Sequence, residues 1–165
     1  MAKEITLISE EQKKFLKEQK GLLFEYYAQV SNPRLDTRIL GDLQVWVYGG
    51  DRKGFTPHCH VMKADKSVEW EVSILDWTII NVKNGTVTGS MESTFNKWLN
   101  AKSTRDKNKL NKEIVYVMWD SVNPNNDLLE FTETHNTEIT DNELKQYIND
   151  IKEELSNGKE HTDTV

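Results

Sequence analysis

The sequence predicts an α+β fold in which a central antiparallel sheet of about four strands lies between helices. The hydrophobic spacing is helical before residue 33, alternating between residues 43 and 82, and helical again after residue 90. Strands grouped in the middle of a chain, with helices before and after them, are typical of α+β rather than alternating α/β folds. The length of 165 residues fits one domain. We therefore expect a single domain over residues 1–158, followed by a flexible tail at 159–165.

The first predicted element is an N-terminal helix within residues 1–33. Ser9 and Gln12 have the spacing of a capping box at its start. Pro33 should end it, because the residue before a proline disfavours helical backbone angles. Between these signals, apolar residues follow at helical spacing: Phe15, Leu16, Leu22, Leu23, Tyr26, Tyr27 and Val30.

The sheet is predicted within residues 40–122. Leu43, Val45 and Val47 alternate with polar and aromatic residues, as in a strand with one buried face. A glycine-rich loop follows at 49–54, and turns are expected at Asp65-Lys66 and Asn84-Gly85. The four strands span residues 43–48, 58–64, 68–74 and 77–82.

Helical spacing returns after the sheet. It predicts one helix around Met91–Leu99 and another around residues 110–118, ending before Pro124. In the acidic C-terminal element at 125–158, the short apolar run 128–131 fits a strand or a docked loop. A second capping box at Thr140 starts the last helix, which we expect to end at Asn157-Gly158.

The charge of the chain is uneven. The net charge is −6, but the segment from Asp120 to the end holds 12 Asp and Glu against three Lys. This acidic region predicts a protein partner with a basic surface, and the alternative is a solvated helix and tail. Nucleic acid is a weaker candidate partner, since Asp106 interrupts the basic segment and no aromatic residue interleaves it. That segment comprises Lys102, Arg105, Lys107, Lys109 and Lys112.

Three features bear on location. No segment approaches the ~20 continuous apolar residues that a membrane span needs. No apolar stretch typical of a signal peptide follows the N-terminus. The single cysteine, Cys59, cannot form an internal disulfide. We therefore expect a cytoplasmic protein, or one in a phage particle assembled in the cytoplasm, with no membrane partner.

The motif Thr56-Pro57-His58-Cys59-His60-Val61 is the candidate site. Residues two apart in a strand point to the same face, so His58 and His60 should lie side by side. Two such imidazoles can share a metal, or act as an acid and a base on one substrate. The alternative is a structural pair whose rings bond to backbone or carboxylate groups. Cys59 should point the other way, into the core.

A metal site needs further ligands, because catalytic zinc has about three protein ligands and structural zinc about four. Asp51 in the glycine-rich loop is one candidate. Glu69 and Glu71 share a face of the neighbouring strand, although the sequence leaves open whether it is the histidine face. A divalent transition metal such as zinc would suit this set of donors.

The histidine motif resembles the hallmark of a family of small bacterial proteins of unknown function. That hallmark reads Pro-Pro-His-Phe-His-Val, and the family is often annotated beside toxin–antitoxin systems. The resemblance covers roughly residues 43–119 and includes the hairpin and helices after the motif. Thr56 stands in place of the first proline and Cys59 in place of the aromatic residue. The regions before Pro33 and after Pro124 have no counterpart.

Two functions are expected from these features. The elements that flank the family-like core favour an interaction or assembly module, associated with a toxin–antitoxin system or with a phage particle. The alternative is a histidine-dependent hydrolase or ribonuclease-like toxin, metal-binding or metal-free, that uses His58 and His60.

Overall fold

A six-stranded sheet forms the centre of the computed structural model, which describes residues 2–4, 25–50 and 54–163. The strands follow one another in chain order. Strands β2 to β6 form an antiparallel meander, and β1 adds a short parallel strand beside β2. The strands are β1 (Ala2–Glu4), β2 (Glu25–Gln29), β3 (Leu43–Tyr48), β4 (His58–Lys63), β5 (Glu69–Ser73) and β6 (Ile79–Asn84). The predicted α+β class with a central antiparallel sheet is confirmed.

Alternation along the strands divides the sheet into two chemically different faces. On one face, residues such as Val45, Val61 and Trp70 are almost fully buried. The other face carries polar and aromatic side chains, including Trp46 and His60, which are register partners on β3 and β4. Because successive side chains point to opposite faces, this pattern fixes which residues can meet on the polar face.

In the described part of the chain, five helices follow or interrupt the strands, and several of them cover the apolar face. The most central is α3, in which eleven of twelve residues are buried and which packs against β2, β3 and β4. The helices are α1 (Thr37–Leu40), α2 (Gly89–Leu99), α3 (Asn111–Val122), α4 (Leu128–Thr134) and α5 (Asn142–Asp163). Among the described residues, no helix combines the length and apolarity that a membrane crossing requires.

Local capping explains where these helices begin. The Thr88 hydroxyl accepts a hydrogen bond from the amide of Met91 at the start of α2. The Glu113 carboxylate accepts one from the amide of Leu110 at the start of α3. Each bond satisfies a backbone amide that has no partner inside its helix.

The basic segment at 102–112 reaches into the start of α3, and two of its side chains make internal contacts. The Arg105 guanidinium donates to the carbonyl oxygens of Gln29, Val30 and Ser31 at the end of β2. The Lys112 ammonium is buried and lies 3.3 Å from a carboxylate oxygen of Asp141. Two of the five cations of the basic segment therefore make contacts inside the fold.

Three sequence predictions were wrong. Residues 25–29, expected to be helical, form strand β2, because pairing with β3 outweighs the helical spacing of their apolar side chains. Residues 128–131 belong to helix α4 rather than to a strand or loop. The last helix passes through Gly158 and continues to Asp163, over most of the expected tail. The predicted helix start at Ser9 lies outside the described residues.

Candidate metal site

His58 and His60 lie side by side on the polar face of β4, with their ring centroids 5.1 Å apart. Cys59, between them, is fully buried on the opposite face. Burial raises the pKa of the Cys59 thiol, so it is a neutral core group rather than a thiolate ligand. The predicted same-face geometry of the two histidines and the inward direction of Cys59 are both observed.

The β4–β5 register brings Glu69 and Glu71 to the histidine face. His60 pairs directly with Glu71, and Met62 pairs with Glu69. Glu69 is thus a diagonal neighbour of His60, close enough for side-chain contact. The question that the sequence left open is answered, since both carboxylates share the face of the two imidazoles.

Hydrogen bonds orient both rings in the same manner. His58 Nδ1 lies 2.9 Å from the carbonyl oxygen of Thr56, and His60 Nδ1 lies 3.0 Å from Oε2 of Glu69. A carbonyl oxygen and a carboxylate accept but do not donate, which assigns the proton to Nδ1 in each ring. Each imidazole is then left with a lone pair on Nε2. Histidines that bind metals almost always have this outer hydrogen bond.

Glu71 completes a set of three potential ligands. One ligand atom from each of His58, His60 and Glu71 lies within 4.8 Å of the other two. Ligands at about 2.0–2.2 Å from one ion lie about 3–3.6 Å apart, so small side-chain rotations would bring the three onto a metal. Glu69, also predicted as a ligand, lies outside this group of three, and its carboxylate accepts the hydrogen bond from His60 Nδ1. Asp51, the other predicted ligand, lies outside the described residues.

The surroundings of His60 favour its neutral form. Burial lowers the pKa of His60, and the neighbouring His58 lowers it further, while the hydrogen bond to Glu69 partly opposes these effects. Lys83, on β6, places its ammonium 3.7 Å from Glu71 and 4.0 Å from Glu69. A neutral imidazole keeps the lone pair that a metal or a proton would take.

The three groups line an open cleft of about 640 Å³ at one end of the sheet. Its size falls in the range of small-molecule sites. Gly49 forms part of the wall, and its backbone passes so close to Val122 of α3 that a Cβ there would lie 2.1 Å from the Val122 carbonyl oxygen. The other lining residues are Tyr48, Gly50, Phe55, His58, His60, Glu69, Glu71, Lys83, Trp119 and Asn123.

Several of these lining residues were not predicted from the sequence. Trp119 is both buried and in ring contact with His58, at a centroid distance of 5.6 Å. Asn123 donates its side-chain amide to the carbonyl of Tyr48, which joins α3 to the end of β3. These contacts join residues about 60–75 positions apart, and no local pattern signals them.

Comparison with protein-family models, with curated proteins and with solved structures finds no match for this chain.

Proposed function

We propose that the protein binds a divalent transition metal such as zinc through His58, His60 and Glu71 and is a metal-dependent hydrolase. The observation that carries this proposal is the convergence of the three ligand atoms within 4.8 Å, with both histidines already hydrogen-bonded through Nδ1. Two histidines and a glutamate form a ligand set typical of catalytic zinc sites. Such sites differ from structural ones, which have four protein ligands.

The cleft supports hydrolysis rather than metal storage. Three protein ligands leave room for water or substrate, and the site faces a cleft large enough for a small molecule. When bound, a zinc ion lowers the pKa of its water to about 7 and so supplies a hydroxide nucleophile. Glu69 keeps His60 in the tautomer that exposes Nε2, and the Thr56 carbonyl does the same for His58.

Zinc binding to the purified protein tests the proposal. We expect the wild-type protein to take up one zinc per chain in a competition titration with a chromogenic chelator. The His58→Ala/His60→Ala variant should lose this site. His135→Ala is the matched control, because His135 is exposed, bonds through Nδ1 to the Phe131 carbonyl and does not line the cleft. Equal zinc uptake by wild type and the double variant would contradict the proposal.

A metal-free outcome would point to the other use of the same pair. If the protein takes up no transition metal but hydrolyses esters, His58 and His60 would act as general acid and base. Glu69 would then orient His60, as a carboxylate orients the histidine of a catalytic triad. An activity that is unchanged by a chelator but lost in the double variant would identify this mechanism.

A second candidate function, an interaction or assembly module, is favoured by the shape of α5. Its first half packs through Leu144 and Ile148, whereas residues 152–157 are all exposed and include Leu155, which is 56% accessible. An exposed acidic helix can dock a partner with a basic surface, and Leu155 would add an apolar contact to that interface. Leu155→Glu should abolish a partner recovered by wild type in cross-linking, and an unchanged partner set would count against it.

A further inference from the structure

Lys83 is the one positively charged side chain among the described residues that line the cleft. It comes from β6, the edge strand beside β5, and its side chain is 48% accessible. Its ammonium lies 3.7 Å from Oε1 of Glu71, whose ligand oxygen is itself within 4.8 Å of both histidine ligand atoms. Lys83 is therefore adjacent to the position that a metal on these three ligands would take.

The balance of charge in the cleft changes sign when a divalent ion is added. Glu69 and Glu71 together carry −2, and Lys83 offsets one of these charges, so these three side chains of the described lining sum to −1. A divalent ion makes the same group of side chains net positive. Once Glu71 binds the ion, its charge is shared with the metal, and the Lys83 ammonium becomes available to another anion.

Resting on the proposed metal site, we propose that the substrate carries an oxyanion group that bridges the bound metal and the Lys83 ammonium. Phosphoryl and carboxylate groups share this chemistry, since each presents two oxygens that can reach two cations at once. Lysine binds such groups as a point charge on a flexible stem, which suits its partly exposed position here.

The rim of the cleft indicates what is attached to the oxyanion. Tyr48 and Phe55 flank the histidine pair on two sides, at centroid distances of 4.5 Å from His60 and 5.4 Å from His58. They remain 38% and 45% accessible, so each presents ring surface to the cleft. Large exposed aromatic side chains beside polar groups are typical of binding surfaces. The substrate therefore combines the oxyanion with a planar or apolar group.

Calorimetric titration of the zinc-loaded protein with inorganic phosphate, acetate and phenyl phosphate tests this inference. We expect Lys83→Met to weaken binding of the preferred anion by at least tenfold while zinc affinity stays the same or rises. Lys97→Met, which changes an exposed lysine on α2, should behave as wild type. Phenyl phosphate should bind more tightly than phosphate, and Phe55→Ala should reduce that difference.

The outcomes separate the two proposals. Preference for phosphate or for acetate in the wild type identifies which oxyanion the site takes. If zinc binds but neither anion does, or if Lys83→Met binds both as tightly as wild type, the oxyanion inference is overturned while the metal site stands. If the wild type takes up no zinc, the proposed function fails first, and this inference fails with it.

Discussion

Glu69 and Glu71 are two carboxylates of one strand that should respond very differently to the same substitution. Both lie on β5, both are mostly buried, and both are within 4.0 Å of the Lys83 ammonium. Only Glu71 belongs to the group of three ligand atoms, whereas Glu69 accepts the Nδ1 proton of His60. Glu71→Gln and Glu69→Gln therefore remove the same charge from nearly the same place.

The expected losses of zinc affinity follow from these contacts. Removing an outer partner of a metal-binding histidine typically costs 10–100-fold in affinity, or about 1.4–2.7 kcal/mol. For Glu69→Gln, the loss of zinc affinity should be about tenfold, because the glutamine carbonyl can still accept the hydrogen bond from His60. Glu71→Gln removes an anionic ligand from a set of three, so we expect a loss greater than about 100-fold.

A chelator-competition titration of zinc on both variants measures this difference, with thermal unfolding as the check that each protein is folded. The ratio of the two dissociation constants is the informative quantity, because any general electrostatic effect is common to both. Equal affinities in the two variants, or a larger loss in Glu69→Gln, would refute the assignment of Glu71 as ligand and Glu69 as its support.

Three further predictions concern stability, each measured by urea denaturation. Gly49→Ala should lower the free energy of unfolding by about 2–4 kcal/mol, because the added Cβ would collide with the Val122 carbonyl oxygen. Gly50→Ala is the control, since the space around Gly50 is open, and it should change the free energy of unfolding by less than about 0.5 kcal/mol. Asp141→Ala should lower the free energy of unfolding by about 2–4 kcal/mol. The substitution removes the acceptor that caps the start of α5 and the acceptor for the Trp77 indole, and it leaves Glu143 as the remaining carboxylate beside the buried Lys112 ammonium. Asp141→Asn, which can keep the cap, should cost less, and equal costs would contradict this role. Although burial raises the pKa of Asp141, hydrogen bonding to Glu143 and Trp77 and the charge of Lys112 hold it below its ordinary value of 3.8. The contribution of Asp141 to the free energy of unfolding is therefore fully present above pH 3.8 and is lost as the pH falls through the lower pKa of the folded state. If Asp141→Asn leaves the dependence of stability on pH unchanged below pH 4, this prediction is wrong.

The histidine face of the sheet could be predicted because it depends on one local rule. Alternation in β4 places His58 and His60 together whatever the strand pairs with. The face of Glu69 and Glu71 could not be predicted, since it depends on the register of the hairpin, and a slip of one residue would turn both carboxylates to the other face. The structure fixes this register by pairing His60 with Glu71.

Strand β2 shows where hydrophobic spacing misleads. Tyr26, Tyr27 and Val30 satisfy a helical spacing, yet aromatic and β-branched residues also favour strands. The deciding interaction is pairing with β3, where Tyr27 lies opposite Tyr48. That partner is about 20 residues away and has no local signature.

Helix α4 was missed although the sequence held a usable signal. Its apolar run is too short to distinguish a strand from a helix by spacing. Asp127, however, caps the helix by accepting from the amide of Glu130, and Asp followed three residues later by Glu is typical of a helix start. Lys83 and Asn123, by contrast, reach the cleft through long-range packing that no local pattern encodes.

The central claim is that His58, His60 and Glu71 hold one metal ion. A crystal structure of the zinc-loaded protein, with anomalous data collected at the zinc edge, tests it most directly. We expect one peak about 2.0–2.2 Å from Nε2 of each histidine and from a carboxylate oxygen of Glu71, with Glu69 still bonded to His60 Nδ1. An anomalous peak bound elsewhere, or none between these three side chains, would contradict the assignment.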